Sequence, residues 1–142
     1  MNRDITIGQK PASILIVDDV AANLQVLTGM LDERGYLTRP VTSGKMALLA
    51  AENDPPDLIL LDITMPGMDG YEVCARMKAN EKLKDIPVIF ISALHETPDK
   101  VKGFAVGGAD YVTKPFQFEE VQAPIATHLK LHALQTAIEA HN

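Results

Sequence analysis

The sequence predicts an α/β fold in which helices cover both faces of a parallel β-sheet. Three short, uninterrupted apolar runs support this prediction: ILIV at 14–17, LILL at 58–61 and VIFI at 88–91. Such runs are typical of strands buried on both faces. The segments between them have the apolar spacing of helices, and strands that alternate with helices favour right-handed crossovers. At 142 residues, the chain fits one such domain.

The first half of the chain predicts a tail, two strands and two helices. Residues 1–12 are polar, which indicates a flexible N-terminal tail. The strand at 14–17 is followed by a helix with an apolar stripe made of Leu24, Leu27 and Leu31. A weaker strand over 36–41 follows the break at Gly35, and Ser43 is placed to cap the next helix.

The second half continues the alternation of strands and helices. A helix over 70–79 follows the strand at 58–61. After the strand at 88–91, the pair Thr97-Pro98 predicts a helix start, with a capping hydroxyl and a proline at the first helical position. The pair Gly107-Gly108 predicts the end of that helix.

A short strand, YVT at 111–113, and a long helix after Pro115 complete the chain. The bond between Lys114 and Pro115 is a candidate cis peptide in a tight turn. Pro124 lies inside the last helix, where a proline removes one backbone hydrogen bond and favours a kink.

The end of the last helix has two interpretations. Its apolar positions have a/d-like spacing: Leu131, Leu134 and Ile138. This pattern fits either a longer helix packed on its own domain or the start of a coiled-coil connector. We predict a domain over 13–130, followed by a C-terminal helix extension or linker stub over 131–142.

Composition excludes several classes of protein. Thirteen Lys and Arg against nineteen Asp and Glu give a net charge of −6, which disfavours direct binding to DNA or RNA. Cys74 stands alone, so neither an intrachain disulfide nor a cysteine-based zinc site is expected, and its apolar neighbours predict a buried structural thiol. Without a signal peptide or a bilayer-length apolar run, we expect no membrane insertion and a cytoplasmic location.

Polar residues stand at the carboxyl ends of four predicted strands. Asp18 and Asp19 follow the first strand, Asp62 the third, Ser92 the fourth and Lys114 the fifth. In a parallel sheet these ends lie along one edge, where ligands bind. Three carboxylates, a hydroxyl and an ammonium should therefore meet in one crevice.

A magnesium ion resolves the repulsion between these carboxylates. Asp18 and Asp19 would hold it directly or through water, and the backbone carbonyl of Thr64 would add an oxygen. Asp62 is the candidate nucleophile, because carboxylates form phosphoryl-enzyme intermediates and the Pro/Gly loop after it should leave it open. Lys114 and the Ser92 hydroxyl would receive the oxygens of the transferred phosphoryl group.

Four segments in this order and spacing resemble the receiver domains of two-component response regulators: ILIVDD, LILLDITMPGMDG, VIFISA and GADYVTKPF. The resemblance covers about 13 to 130. It implies a flavodoxin-like doubly wound five-stranded parallel sheet with strand order 2-1-3-4-5. It also implies phosphotransfer from a phosphohistidine to Asp62, with Mg²⁺ as cofactor and a switching role rather than an enzymatic one beyond self-phosphotransfer and autodephosphorylation.

Carried over residue by residue, the resemblance places the metal-binding acidic pair on Asp18 and Asp19 and the carbonyl ligand on Thr64. The phosphate-sensing hydroxyl falls on Ser92 and the lysine on Lys114. Tyr111 falls on the aromatic position that rotates inward when that hydroxyl moves toward the phosphate. The surface of the fourth helix, fifth strand and fifth helix should then change shape.

The resemblance also implies partners. A histidine kinase or a histidine phosphotransfer protein would supply the phosphoryl group. An output domain, fused or separate, would read the switch, and a homodimer through the fourth helix, fifth strand and fifth helix is a further possibility.

Rival interpretations have less support in the sequence. An aspartyl-phosphate phosphatase would need an aspartate where Thr64 stands, and a flavodoxin would need a phosphate loop where Asp18 and Asp19 stand. A receiver whose phosphorylation is incidental to protein binding is a third alternative. His95 fits a solvent-facing loop residue, and the pair of His128 and His132 has zinc-ligand spacing without further ligands.

Overall fold

A five-stranded parallel sheet organises the chain, as the sequence predicts. The structure is a computed structural model that describes residues 6–7, 10–93 and 99–140. Numbered within this sheet, the strands are β1 (Ser13–Val17), β2 (Leu37–Val41), β3 (Leu58–Asp62), β4 (Val88–Ser92) and β5 (Asp110–Thr113). Their spatial order is β2-β1-β3-β4-β5, and every neighbouring pair is parallel. This is the doubly wound order 2-1-3-4-5.

In the described part of the chain, five helices connect and cover the strands: α1 (Ala21–Asp32), α2 (Gly44–Asn53), α3 (Gly70–Lys78), α4 (Lys100–Ala105) and α5 (Phe118–Ala140). Successive side chains of a strand point to opposite faces of the sheet. Ile14 and Ile16 accordingly lie in a core with α1 and α5, whereas Leu15 and Val17 lie in a second core with α2 and α3. The sheet is thus buried on both faces, which explains the uninterrupted apolar runs.

Two local predictions are confirmed. The Ser43 hydroxyl accepts a hydrogen bond from the Met46 amide at 3.1 Å and caps α2. The Lys114–Pro115 peptide bond is cis.

The predicted end of α4 is confirmed. The described helix begins at Lys100, and its N-cap is Asp99, whose side chain accepts a hydrogen bond from the Lys102 amide at 3.0 Å. An aspartate caps as well as a threonine does. The predicted pair Thr97-Pro98 lies outside the described residues. The helix ends at Ala105, and Gly107 follows with a φ of 104° that favours glycine.

The N-terminal region contains a pairing that the sequence does not reveal. Thr6–Ile7 and Lys10–Pro11 form a two-residue antiparallel ladder, where the polar composition predicts a tail. A pairing of two residues per strand is too short to produce an alternating side-chain pattern in the sequence. The boundaries at residues 12 and 130 stay predictions.

Helix α5 continues through Pro124 to Ala140. Its inner positions Val121, Ile125 and Leu129 are buried. Its distal apolar positions are exposed, by 53–64%: Leu131, Leu134 and Ile138. These three side chains do not pack on their own domain. Within the described part of the chain, no helix has the length and apolarity to cross a bilayer.

Candidate functional site

Strand register brings the predicted site residues to one edge of the sheet. Val17 of β1 pairs with Leu61 of β3. The residues that follow them, Asp18 and Asp62, therefore lie side by side. On the other side of β3, Asp62 pairs with Ile91 of β4, and Ser92 follows directly. The register of β4 with β5 then pairs Ser92 with Thr113, one residue before Lys114.

A glycine fixes the backbone of Asp62 against α3. Gly70, the first residue of α3, donates a backbone hydrogen bond to the Ile63 carbonyl at 2.8 Å. A Cβ atom at Gly70 would overlap the Asp62 carbonyl oxygen and crowd the Ile63 Cα. The Asp69 side chain caps α3 by accepting from the Glu72 amide at 2.9 Å. The loop after β3 therefore returns to touch the strand end.

Asp18 is fully buried and has three polar partners. One oxygen accepts from the Val20 amide at 2.9 Å, and the other accepts from the Asn23 side-chain amide at 3.1 Å. The Lys114 Nζ lies 3.5 Å from the same second oxygen. Asn23 is a site residue that the sequence reasoning missed. Its only signal is a side-chain amide in the first turn of the helix after β1.

Asp62 is 3% exposed, and its charge is poorly compensated. Its Oδ1 accepts from the Thr64 amide at 3.3 Å. Burial, followed by the negative charge of Asp18, raises the pKa of Asp62 from 3.8 to about 7, although the Lys114 ammonium acts in the opposite direction. The prediction that the loop leaves this carboxylate open is wrong, because Asp62 is buried in the structure.

The three carboxylates fit a divalent cation. One oxygen each of Asp18, Asp19 and Asp62 lies within 4.8 Å of the others, and a cation between them would offset the burial and the repulsion that raise the pKa of Asp62. Hard oxygen ligands of this kind suit Mg²⁺. Across residues 6–7, 10–93 and 99–140, this is the only group of three or more His, Cys, Asp or Glu side chains with such closely placed ligand atoms.

The hydroxyl and aromatic positions lie on the β4–β5 side. Ser92 is 1% exposed, with its Oγ 3.4 Å from the Thr113 Oγ1. Tyr111 is half-buried, and its ring packs edge-on against Phe104 of α4 at a centroid distance of 5.6 Å. Its hydroxyl donates a hydrogen bond to the Asp99 carbonyl at 3.2 Å. In this structure Tyr111 is thus bound to the start of α4.

The cysteine and the histidines that the sequence singles out lie apart from the carboxylate group or outside the described residues. Cys74 is buried, and burial raises the pKa of its thiol to about 11, in agreement with a structural thiol. The His128 Nε2 lies 3.2 Å from the Asp110 carboxylate, while His132 belongs to no group of three metal-ligating side chains among the described residues. His95 lies outside them.

Residues 14–126 match the family model described as the response regulator receiver domain. The chain is 42% identical over 104 residues to the response regulator PleD of Caulobacter vibrioides, covering 73% of this chain and 23% of PleD. It is 38% identical over 117 residues to the DNA-binding dual master transcriptional regulator RpaA of Synechocystis sp., covering 82% of this chain and 48% of RpaA. The chain thus spans about a quarter to a half of these relatives.

A solved structure agrees with this match. The signal receiver domain of a signal transduction histidine kinase from Syntrophus aciditrophicus superimposes with a TM-score of 0.72 at 35% identity. The alignment covers 87% of this chain and 91% of that one. Sequence and fold therefore point to the same kind of domain.

Proposed function

This chain belongs to the response regulator receiver domain family of two-component systems, and from that membership we propose that it accepts a phosphoryl group on Asp62. The observation that carries the proposal is the carboxylate group at the sheet edge. Asp18, Asp19 and Asp62 converge within 4.8 Å, and Lys114 lies beside them. Receiver domains act as signalling modules, so the expected output is a change of surface.

Asp18, Asp19 and Asp62 would hold Mg²⁺, with the Thr64 carbonyl as a further ligand. Three carboxylates and one ammonium leave about two negative charges, which one dication cancels. When bound, the ion neutralises the site and polarises the oxygens of an incoming phosphoryl group. The raised pKa of Asp62 supports this assignment, because burial and then the charge of Asp18 disfavour the ionised carboxylate, and a bound cation would offset both.

In the transfer step, a carboxylate oxygen of Asp62 forms a bond to phosphorus while the P–N bond of a phosphohistidine breaks. The electron pair of that bond stays on the imidazole nitrogen, which takes a proton from solvent. Lys114 is positioned to pair with a phosphoryl oxygen, and its present partner, Asp18 at 3.5 Å, shows that it can approach the carboxylates. Ser92 would donate its hydroxyl hydrogen to a second oxygen.

The switch would then pass from Ser92 to Tyr111. As Ser92 moves toward the phosphoryl group, Tyr111 would rotate inward and give up its bond to Asp99 at the start of α4. Side chains on α4 are already exposed, notably Val101 and Phe104, so a shift of α4 would alter a surface available to partners. Phosphorylation must favour the second state by a few kcal/mol to move the population substantially.

A histidine kinase or histidine phosphotransfer protein is the proposed donor. A fused or separate output domain, or a second copy bound through α4, β5 and α5, is the proposed receiver of the signal. The absence of direct nucleic-acid binding and the cytoplasmic location stay predictions.

Intact-mass measurement after incubation with acetyl phosphate and Mg²⁺ tests the proposal. We expect a mass gain of one phosphoryl group that is absent in Asp62→Asn and absent when the metal is chelated. Asp69→Asn is a matched control, because Asp69 caps α3 in the same loop but lies outside the carboxylate group, and it should still gain the phosphoryl group. A gain that persists in Asp62→Asn would place the acceptor elsewhere, and turnover of many phosphate esters would indicate a phosphatase.

A further inference from the structure

Two tyrosine hydroxyls bond the backbone of Asp99 at the start of α4. The Tyr71 hydroxyl, on α3, accepts a hydrogen bond from the Asp99 amide at 3.0 Å. The Tyr111 hydroxyl, on β5, donates to the Asp99 carbonyl at 3.2 Å. Since Asp99 is the N-cap of α4, both bonds act on the residue that sets where this helix begins.

Tyr71 is built into the core beside these contacts. Its side chain is 7% exposed, and its ring packs edge-on against Phe90 at a centroid distance of 5.2 Å. Phe90 in turn contacts Tyr111 at 5.3 Å. The Lys102 ammonium lies 5.1 Å from the centre of the Tyr71 ring, which adds a second contact between α3 and α4. The aromatic ring therefore has little freedom to carry its hydroxyl elsewhere.

Tyr71 also follows directly on the residue that touches the phosphoacceptor. Gly70 packs on the backbone of Asp62 so closely that no Cβ fits between them. One peptide bond further along, Tyr71 reaches the cap of α4. A short path thus runs from Asp62 through the start of α3 to α4, and it meets the path through Ser92 and Tyr111 at Phe90, which contacts both tyrosine rings.

Gly103 allows Tyr111 to approach the backbone of α4 as closely as Gly70 approaches Asp62. A Cβ at Gly103 would overlap the Tyr111 hydroxyl, so this hydroxyl lies directly against the helix backbone. Tyr111 can occupy that place only while α4 keeps its present position relative to β5. The two bonds to Asp99 therefore belong to one arrangement of α4.

We propose that Tyr71 is a positioning residue that stabilises the unphosphorylated position of α4 through its hydrogen bond with the Asp99 amide. The inference rests on the proposed function. Inward rotation of Tyr111 breaks one of the two bonds, and displacement of α4 carries the Asp99 amide away from Tyr71 and breaks the other. A ligand shifts such an equilibrium only by its different affinities for the two states, so the Tyr71 bond opposes activation and sets its threshold.

Tyr71→Phe tests this role, because it removes the hydroxyl and keeps the ring. Beryllium fluoride with Mg²⁺, a mimic of the acyl phosphate, is the probe, and its affinity is measured by titration. Loss of one hydrogen bond from the unphosphorylated state should tighten binding by roughly 2- to 10-fold.

Tyr36→Phe is the matched control. It removes a buried tyrosine hydroxyl that accepts a hydrogen bond from the Gln122 side chain at 3.0 Å, in the core on the opposite face of the sheet. This variant should lose stability without binding beryllium fluoride more tightly. An equal gain of affinity in both variants would show a general effect of lost stability and would overturn the assignment to Tyr71.

Hydrogen exchange at the Asp99 amide gives a second measurement. In the wild type this amide should exchange slowly without ligand and faster once beryllium fluoride is bound. Binding by Tyr71→Phe that is less than about twofold tighter than wild type, or weaker, overturns the inference alone. Failure of the wild type to bind the probe at all overturns the proposed function and the inference with it.

Discussion

Replacing Asp62 by asparagine tests the electrostatics at the sheet edge. In metal-free protein, burial first and the charge of Asp18 second raise the pKa of Asp62 from 3.8 to about 7. In the unfolded chain the pKa returns to about 4. Between these values the folded state binds more protons than the unfolded state. The contribution of Asp62 to the free energy of unfolding therefore falls as the pH rises from about 4 to about 7.

The magnitude follows from the size of this change. One pKa unit corresponds to about 1.4 kcal/mol, so keeping the Asp62 carboxylate ionised in the folded protein costs up to about 4 kcal/mol. Part of this cost is repulsion between Asp62 and Asp18, and it therefore belongs to the pair. Asparagine has nearly the same shape and no charge. At about pH 8 we expect Asp62→Asn to be more stable than the wild type by about 2 to 4 kcal/mol, and at about pH 4 the two should agree within about 1 kcal/mol.

Urea denaturation followed by circular dichroism, in the presence of a chelator, measures both free energies. Asp85→Asn, at an exposed carboxylate, is the control and should show no such growth of the difference with pH. Addition of Mg²⁺ at about pH 8 should narrow the gap between wild type and Asp62→Asn, because the cation stabilises the ionised wild-type site. A difference that is the same at both pH values, or an asparagine variant that is the less stable protein at the higher pH, would refute the reasoning.

Three further predictions concern stability and reactivity. Gly70→Ala should lower the free energy of unfolding by about 1 to 3 kcal/mol, because the new Cβ meets the backbone of Asp62. Gly29→Ala is the control: the space there is open, so it should raise the free energy of unfolding by up to about 1 kcal/mol. Chemical denaturation measures both variants. Arg39→Ala should cost about 1 to 2 kcal/mol in the same assay, since the guanidinium caps α2 through the Ala50 and Asp54 carbonyls at 3.0 and 2.7 Å, and an unchanged midpoint would contradict this. Cys74 should resist alkylation by iodoacetamide in the native protein and react fully in urea, because burial raises its thiol pKa to about 11; rapid native labelling seen by mass spectrometry would disagree.

The strands and the composition of the site were predictable because parallel-sheet geometry links them. A run such as LILL at 58–61 announces a strand buried on both faces, and the residue that ends it must lie at the common carboxyl edge. Asp18, Asp62 and Lys114 could therefore be grouped from their positions alone. The structure brings these three together as the sequence predicts.

Other features depend on packing that a single sequence does not encode. Asp62 was expected to be open, but it is buried where the loop after β3 returns to the strand end. Asn23 binds Asp18 across five residues, and Tyr71 reaches Asp99 across 28. Neither pair shows a spacing that sets it apart from ordinary helix residues. Asp99 caps the described start of α4, and the sequence does not single it out because several residue types cap helices equally well.

The central claim is that the converging carboxylates make Asp62 the phosphoryl acceptor, and chemical mapping of the modified residue tests it most directly. After treatment with acetyl phosphate and Mg²⁺, borohydride converts an aspartyl phosphate to homoserine, which peptide mass spectrometry locates. We predict homoserine at position 62 and unmodified aspartate at Asp18 and Asp19. Homoserine at either of those two positions, or an unmodified Asp62 in protein that has gained a phosphoryl group, would contradict the account.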